Sequence, residues 1–208
     1  MIDVPVISAM YFGPVELYRL LAQYPKAIVD VGEHHERQSY RTRTSIMGPN
    51  GVQDLVVQIQ RLSGEKMPMH TVELSYAENW PYQHVHAFRS GYGKTPWAIH
   101  FLEDIADLLE REHARLVDLD LATMRMCLKW LRLSTELEIS SNYVEPASIT
   151  AGLDLRQTFH PKKPLPMGVA SLPPYPQVFA DRHGYVPRLS IIDLLCNTGP
   201  QAVGHLAK

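Results

Sequence analysis

The sequence predicts an α/β fold: a small mixed β-sheet that opens with a βαβ unit and is covered by a helical middle and C-terminal part. Three observations carry this. Apolar runs at 4–10 and 26–31 flank an amphipathic stretch, the strand–helix–strand order of a parallel pair joined by a crossover. An Asn50-Gly51 pair then sits between two strand-like runs, a short-hairpin signal. From Asn79 to Leu131 the apolar spacing changes to the helical period.

Taken in order, "VPVISAM" is a short buried strand. "GPVELYRLLAQY" is a helix, with Val15, Tyr18, Leu21 and Ala22 along one face and Pro14 suited to its first turn. "KAIVDV" is a second strand, expected to be central in the sheet. "YRTRTSIM" and "LVVQI" form the hairpin around Asn50-Gly51, both of whose turn positions accept positive φ. "TVELSY" at 71–76 is a further short strand. A helix follows Asn79 as its cap, with Trp80, His84 and Phe88 at four-residue steps. The next is capped by Thr95, begins at Pro96, and presents Ala98, Phe101, Leu102, Ile105, Leu108 and Leu109 on one face. A third runs through Val117, Leu121, Met124, Leu128 and Leu131, "ELEIS" adds an edge strand, and "SIIDLLCNTGP" is a short helix stopped by Gly199 and Pro200. The prolines of "FHPKKPLPMGVASLPPYPQVF" favour a long loop, since proline donates to no ladder.

A length of 208 residues suits a single domain over 1–208. A net charge of −2 gives no pull toward nucleic acid. No apolar run approaches the ~18 residues of a membrane span, and the N-terminus lacks the basic and apolar regions of a secretory signal. Two cysteines make no disulfide framework. A cytoplasmic globular protein is expected.

The densest polar stretch is "EHHERQSYRTRTS" at 33–45. On a strand, Arg41 and Arg43 share a face about 7 Å apart, a paired fork for phosphate or carboxylate. The alternative is a solvated face paired with Glu33 or Glu36. Asp30 ends the central strand, and ligands of open α/β sheets gather beyond carboxyl strand ends, which places Asp30, Glu33, His34 and His35 near a crevice. Metal binding is not expected: His34 and His35 diverge, "HVH" at 84–86 diverges on a helix, and no HExxH or CxxC occurs. Cys127 shares an apolar face with Met124 and Leu131, and Cys196 follows "DLL", so both belong to packing. "GYGKTP" lacks P-loop spacing; Tyr92 and Lys94 face an anion at the next helix N-terminus or lie in a plain connecting loop. Asp193 and Asn197 share a helix face, either as a local pair or as a polar patch over a pocket.

The runs "YFGPVELYRLLAQYPKAIVDVGEHHERQSYRTRTSIMGPNGVQDLVVQI", "WPYQHVHAFRSGYGKTP" and "YPQVFADRHGYVPRLSIIDLLCNTGP", in this order, resemble the bacterial WbqC-like family, most closely its Bacteroidetes forms. Tyr40, Arg43, Asn50 and Gly51 fall on the first motif, Trp80, His84, Tyr92 and Lys94 on the second, and Ser190, Asp193 and Asn197 on the third. Gly32 stands where relatives carry an acid or other polar residue. The resemblance implies a role in surface-polysaccharide or O-antigen biosynthesis, acting on a nucleotide-activated amino sugar by acyl or aminoacyl transfer. It names no cofactor.

Two readings follow. In a transferase, Arg41 and Arg43 bind phosphate, Asp30, Glu33, Tyr40, Tyr92, Lys94 and Asn197 line the site, His35 or His84 is the general base, and Asp193 orients it. This requires His84 and the arginines to share one crevice. The alternative is a non-catalytic binding or assembly protein for envelope biosynthesis, docking its partner through the proline-rich segment, Tyr175 and Phe179. The expected ligand in the first case is a nucleotide sugar or another anionic small molecule.

Overall fold

The computed structural model describes residues 1–60, 66–140, 142–165 and 172–207. Strand β1 (Val6–Ile7) pairs in parallel with β2 (Lys26–Asp30) across helix α1 (Val15–Leu21), the predicted βαβ unit. Pro14, with φ −67°, sets the entry to α1, and Val15, Leu17, Tyr18 and Leu21 are buried beneath it. β5 (Glu136–Ser140) pairs with the other edge of β2, giving the parallel order β1-β2-β5. Central β2 reads as a continuous buried run from Ala27 to Asp30, as a parallel strand covered on both faces must. β5 is the exposed edge, where Lys26 and Glu138 form an ion pair.

β3 (Arg43–Gly48) and β4 (Gly51–Val56) form a separate antiparallel pair. The turn lies one residue earlier than predicted: Gly48 pairs with Gly51, so Pro49 and Asn50 are its central residues. The positive φ falls on Gly51 at +111°, a conformation that glycine adopts freely. "TVELSY" forms no strand; Leu74 and Glu73 make isolated bridges to Ile59 and Arg115, with no neighbouring ladder to extend them.

Helix α2 (Trp80–Tyr92) buries Trp80, His84 and Phe88 as expected, although Asn79 makes no side-chain cap bond. The helix predicted from Thr95 is divided. The Thr95 hydroxyl donates to Tyr92 O at 2.7 Å, a 3-10 turn spans Ala98–His100, and α3 (Leu102–Glu110) begins after a break at Phe101. The predicted apolar face is nevertheless buried throughout. α4 (Leu116–Trp130) contributes Met124, Cys127 and Leu128 to the core. α5 (Ala180–His183) is short, α6 (Ile191–Thr198) is capped by Ser190 and stopped at Gly199, and α7 (Ala202–Leu206) closes the described chain. Both cysteines are buried and free. Of the proline-rich stretch, residues 166–171 lie outside the described residues.

Gly32 has a steric reason. A Cβ there would fall 2.1 Å from Tyr143 N, because the chain leaving β5 crosses directly over it. An acid or other polar side chain, as the resemblance implies for relatives, has no room here.

Candidate functional site

Beyond the carboxyl ends of β1 and β2 the chain buries a charge network. Asp30 accepts from Gly32 N at 2.9 Å, Val144 N at 3.1 Å and Arg156 at 2.6 Å. Arg156 also bonds Asp154 through Nε at 2.8 Å, and the Tyr143 ring lies 4.8 Å from its guanidinium carbon. Those bonds hold the Asp154 carboxyl below its ordinary range. Arg41 donates to both oxygens of Glu33, at 2.9 and 2.7 Å, and to Ser8 Oγ at 2.7 Å; Ser8 in turn donates to Arg156 O at 2.9 Å. Burial raises the Glu33 pKa and Arg41 pulls it back down. Glu33, His34, Tyr143, Asp154 and Arg156 line a cavity of 370 Å³ here.

The predicted Arg41 and Arg43 face is not formed. β3 begins only at Arg43; Arg41 precedes it in a turn, and its guanidinium is buried on Glu33. Arg43 turns outward to Asp54, at 3.4 Å. A buried carboxylate captures one arginine before any strand geometry can align the two.

Arg43 instead lines the same cleft as His35. His35, Arg37, Gln38, Thr42 and Arg43 on one side, and the run from Val56 to Gln60 on the other, line a cleft of 470 Å³. Backbone bonds fix both walls: His35 N donates to Met67 O at 2.8 Å, and Val57 N donates to Thr42 O at 2.8 Å. Among the described residues, His35 Nε2 and Arg43 Nε are buried without hydrogen-bond partners. Burial, then the Arg41 and Arg37 charges, push the His35 pKa down to about 4, so the ring is neutral at pH 7. His34 and His35 thus serve opposite sides of one segment, His34 in the Arg156 cavity and His35 in this cleft.

The other predicted site residues lie elsewhere. His84 is a core histidine: Nδ1 meets the Tyr11 hydroxyl at 2.9 Å, the ring packs 5.1 Å from Trp80, and burial lowers its pKa to about 4. Asp193 accepts from the Tyr175 hydroxyl at 2.7 Å and Gln177 at 3.0 Å, and burial raises its pKa to about 6. It therefore orients neither histidine. Tyr92 is fully buried and accepts from Met47 N at 3.0 Å, whereas Lys94 is exposed, so the two do not share an anion site. Asn197 donates to Asp193 O at 2.7 Å, the local pair rather than the pocket patch. Tyr40 is buried, its pKa pushed up to about 12 by burial.

Sequence reasoning missed Arg37, Gln58 and Gln60 in the cleft, although the alternation in "VVQIQ" puts both glutamines on one strand face. It also missed Arg156, which no local pattern connects to Asp30, 126 residues earlier. Among the described residues no three His, Cys, Asp or Glu side chains converge as a metal-ligand set, and no helix is long and apolar enough to cross a membrane.

The model of the WbqC-like protein family matches residues 9–163, which include Asp30, Glu33, Arg41 and Arg156 of the buried network and both walls of the His35 cleft. No curated protein and no solved structure matches the chain.

Proposed function

This chain belongs to the WbqC-like protein family, and from that premise we propose that it acts on a nucleotide-activated amino sugar in surface-polysaccharide biosynthesis, as one cytoplasmic domain over residues 1–208. The observation that carries the reading is the unpartnered His35 Nε2 beside Arg37 and Arg43 in one cleft. The guanidiniums suit the diphosphate, and Gln38, Gln58 and Gln60 suit sugar hydroxyls.

Acyl or aminoacyl transfer fits this arrangement. The sugar amine attacks the carbonyl of an acyl thioester or ester; the C–N bond forms, the bond to the leaving thiolate or alkoxide breaks, and His35 Nε2 passes the amine proton to that group. A pKa of about 4 makes His35 a weak base when no anion lies beside it. An anion on Arg37 offsets one of the charges that depress it and raises the His35 pKa.

The test is thermal unfolding with a panel of nucleotide sugars, free nucleotides, acyl thioesters and amino acids. A ligand at 100 times its Kd adds about 2.7 kcal/mol, a rise of roughly 5 to 10 °C. The part of the nucleotide-sugar shift that exceeds the shift given by the free nucleotide should vanish in Arg43→Ala and persist in His35→Gln, which should bind without turnover. No shift with any nucleotide sugar, from a wild type and Arg43→Ala that melt together, refutes it. The second reading, a non-catalytic binding or assembly protein, rests on the missing histidine–acid pair: His84 is bonded to Tyr11, and Asp193 to Tyr175 and Gln177.

A further inference from the structure

A second cavity, of 490 Å³, shares no residue with the His35 cleft and joins a wall of rings to an aliphatic wall. Trp97, His100, Phe101 and Trp130 line one part and Leu131, Ala202 and Val203 another; among the described lining residues Arg132 is the one permanent charge and none is acidic. Both indoles are half-buried and separately anchored. Trp97 lies against Gly199, where a Cβ would fall 2.2 Å from the ring and where φ is +52°. Trp130 donates its indole N–H to Asp104 at 3.3 Å and packs edge-on against Phe101, with centroids 5.0 Å apart. Neither ring is free to swing in and fill the space.

From this we infer that the cavity is a binding site for a planar heteroaromatic ring carrying an anionic group, of the size and chemistry of a nucleoside monophosphate. Ring faces held open favour stacking, which is tolerant of which base it receives. A quaternary ammonium, the other usual guest of an aromatic cage, would meet the Arg132 guanidinium, and the Asp104 carboxylate beside Trp130 already accepts the indole N–H. A hydrocarbon chain would pack on Leu131, Ala202 and Val203 but would leave the Arg132 charge unmatched. Arg132 stands one residue beyond the Leu131 cap of α4, at φ +53°, and is exposed, so its fork can reach a phosphate at the rim. The volume is in the range of small-ligand pockets. This inference does not depend on the role assigned to His35.

The test is intrinsic tryptophan fluorescence during titration with AMP, adenosine, inorganic phosphate, choline and octanoate. AMP should quench saturably, adenosine should bind about tenfold or more weakly, and inorganic phosphate should be silent. Arg132→Gln, an exposed change that keeps the stem, should reduce AMP to the level of adenosine. Trp130→Leu should weaken AMP by roughly 5- to 150-fold, the range for one lost stacking partner, with far-UV circular dichroism confirming that the variant folds. Arg43→Ala should leave AMP binding intact. The inference is overturned by the absence of saturable quenching with AMP, by an undiminished response in Arg132→Gln, by choline or octanoate binding where AMP does not, or by loss of the response in Arg43→Ala, which would place the nucleotide in the His35 cleft.

Discussion

Replacing Arg41 with methionine tests whether this arginine holds the fold or waits for a ligand. Its side chain is 1% exposed and that of its partner Glu33 is 5% exposed. The substitution removes both hydrogen bonds to Glu33, the ion pair to Glu36 and the bond to Ser8, leaving the Glu33 carboxylate buried without its arginine. Stranding one member of a buried pair costs about 3–5 kcal/mol. At roughly 2–4 °C per kcal/mol for a domain of this size, the melting temperature should fall by roughly 6–20 °C. The double variant Glu33→Gln, Arg41→Met should recover part of the loss, because it strands no charge. The pH dependence has a definite sign. Burial already raises Glu33 against the pull of Arg41, and without Arg41 its pKa rises further. The native variant then holds a proton that the unfolded chain has released, so its stability falls as pH climbs above the ordinary carboxyl value. Urea unfolding should therefore show a smaller deficit at pH 5 than at pH 8. A single variant that melts within about 3 °C of wild type at both pH values, under ~1 kcal/mol, would refute the reasoning and return Arg41 to the candidate ligand-binding residues.

Two further outcomes are expected. Among the described residues neither carboxylate oxygen of Asp120 has a partner, and burial raises its pKa well above the ordinary value, so the native state holds its proton more tightly than the unfolded chain. Wild-type stability should fall more steeply than that of Asp120→Asn between pH 5 and 8, by at most about 1.4 kcal/mol per pH unit; identical slopes in urea titrations would contradict this. Cys127 and Cys196 are both 0% exposed, and burial pushes the Cys127 thiol up to about 12 and that of Cys196 higher. Neither should react with a disulfide reagent at pH 8 until guanidinium unfolds the chain, and rapid labelling of the folded protein would show that one is accessible.

What was legible in the sequence was local and periodic. The α1 stripe through Val15, Tyr18 and Leu21 (Ala22, past the helix end, is exposed), the face of α4 through Met124 and Leu128, and the strand–helix–strand opening follow from spacing alone, because each element buries its own apolar side. Where a prediction missed, a tertiary partner had overridden the local pattern. "TVELSY" has strand composition, but its two bridges go to Ile59 and Arg115, and a single bridge on each side makes no ladder. Thr95 reads as a cap, yet its hydroxyl turns back to Tyr92 O and the helix starts seven residues later.

The site fails to be legible for the same reason, with charge in place of shape. Spacing alone puts Arg41 and Arg43 on one face, but the sequence does not record that Glu33 will be buried within reach of only one of them. Once Glu33 is inside, desolvation makes a partner obligatory, and Arg41 is bound to it while Arg43 stays near the surface. The same competition settles the histidines. His84 gains a hydrogen bond from its burial, with Tyr11, and so becomes part of the core. His35 is partly buried and its Nε2 gains none. A nitrogen left without a partner beside two outward arginines, Arg37 and Arg43, is what separates a candidate base from a structural histidine, and only the folded chain distinguishes the two.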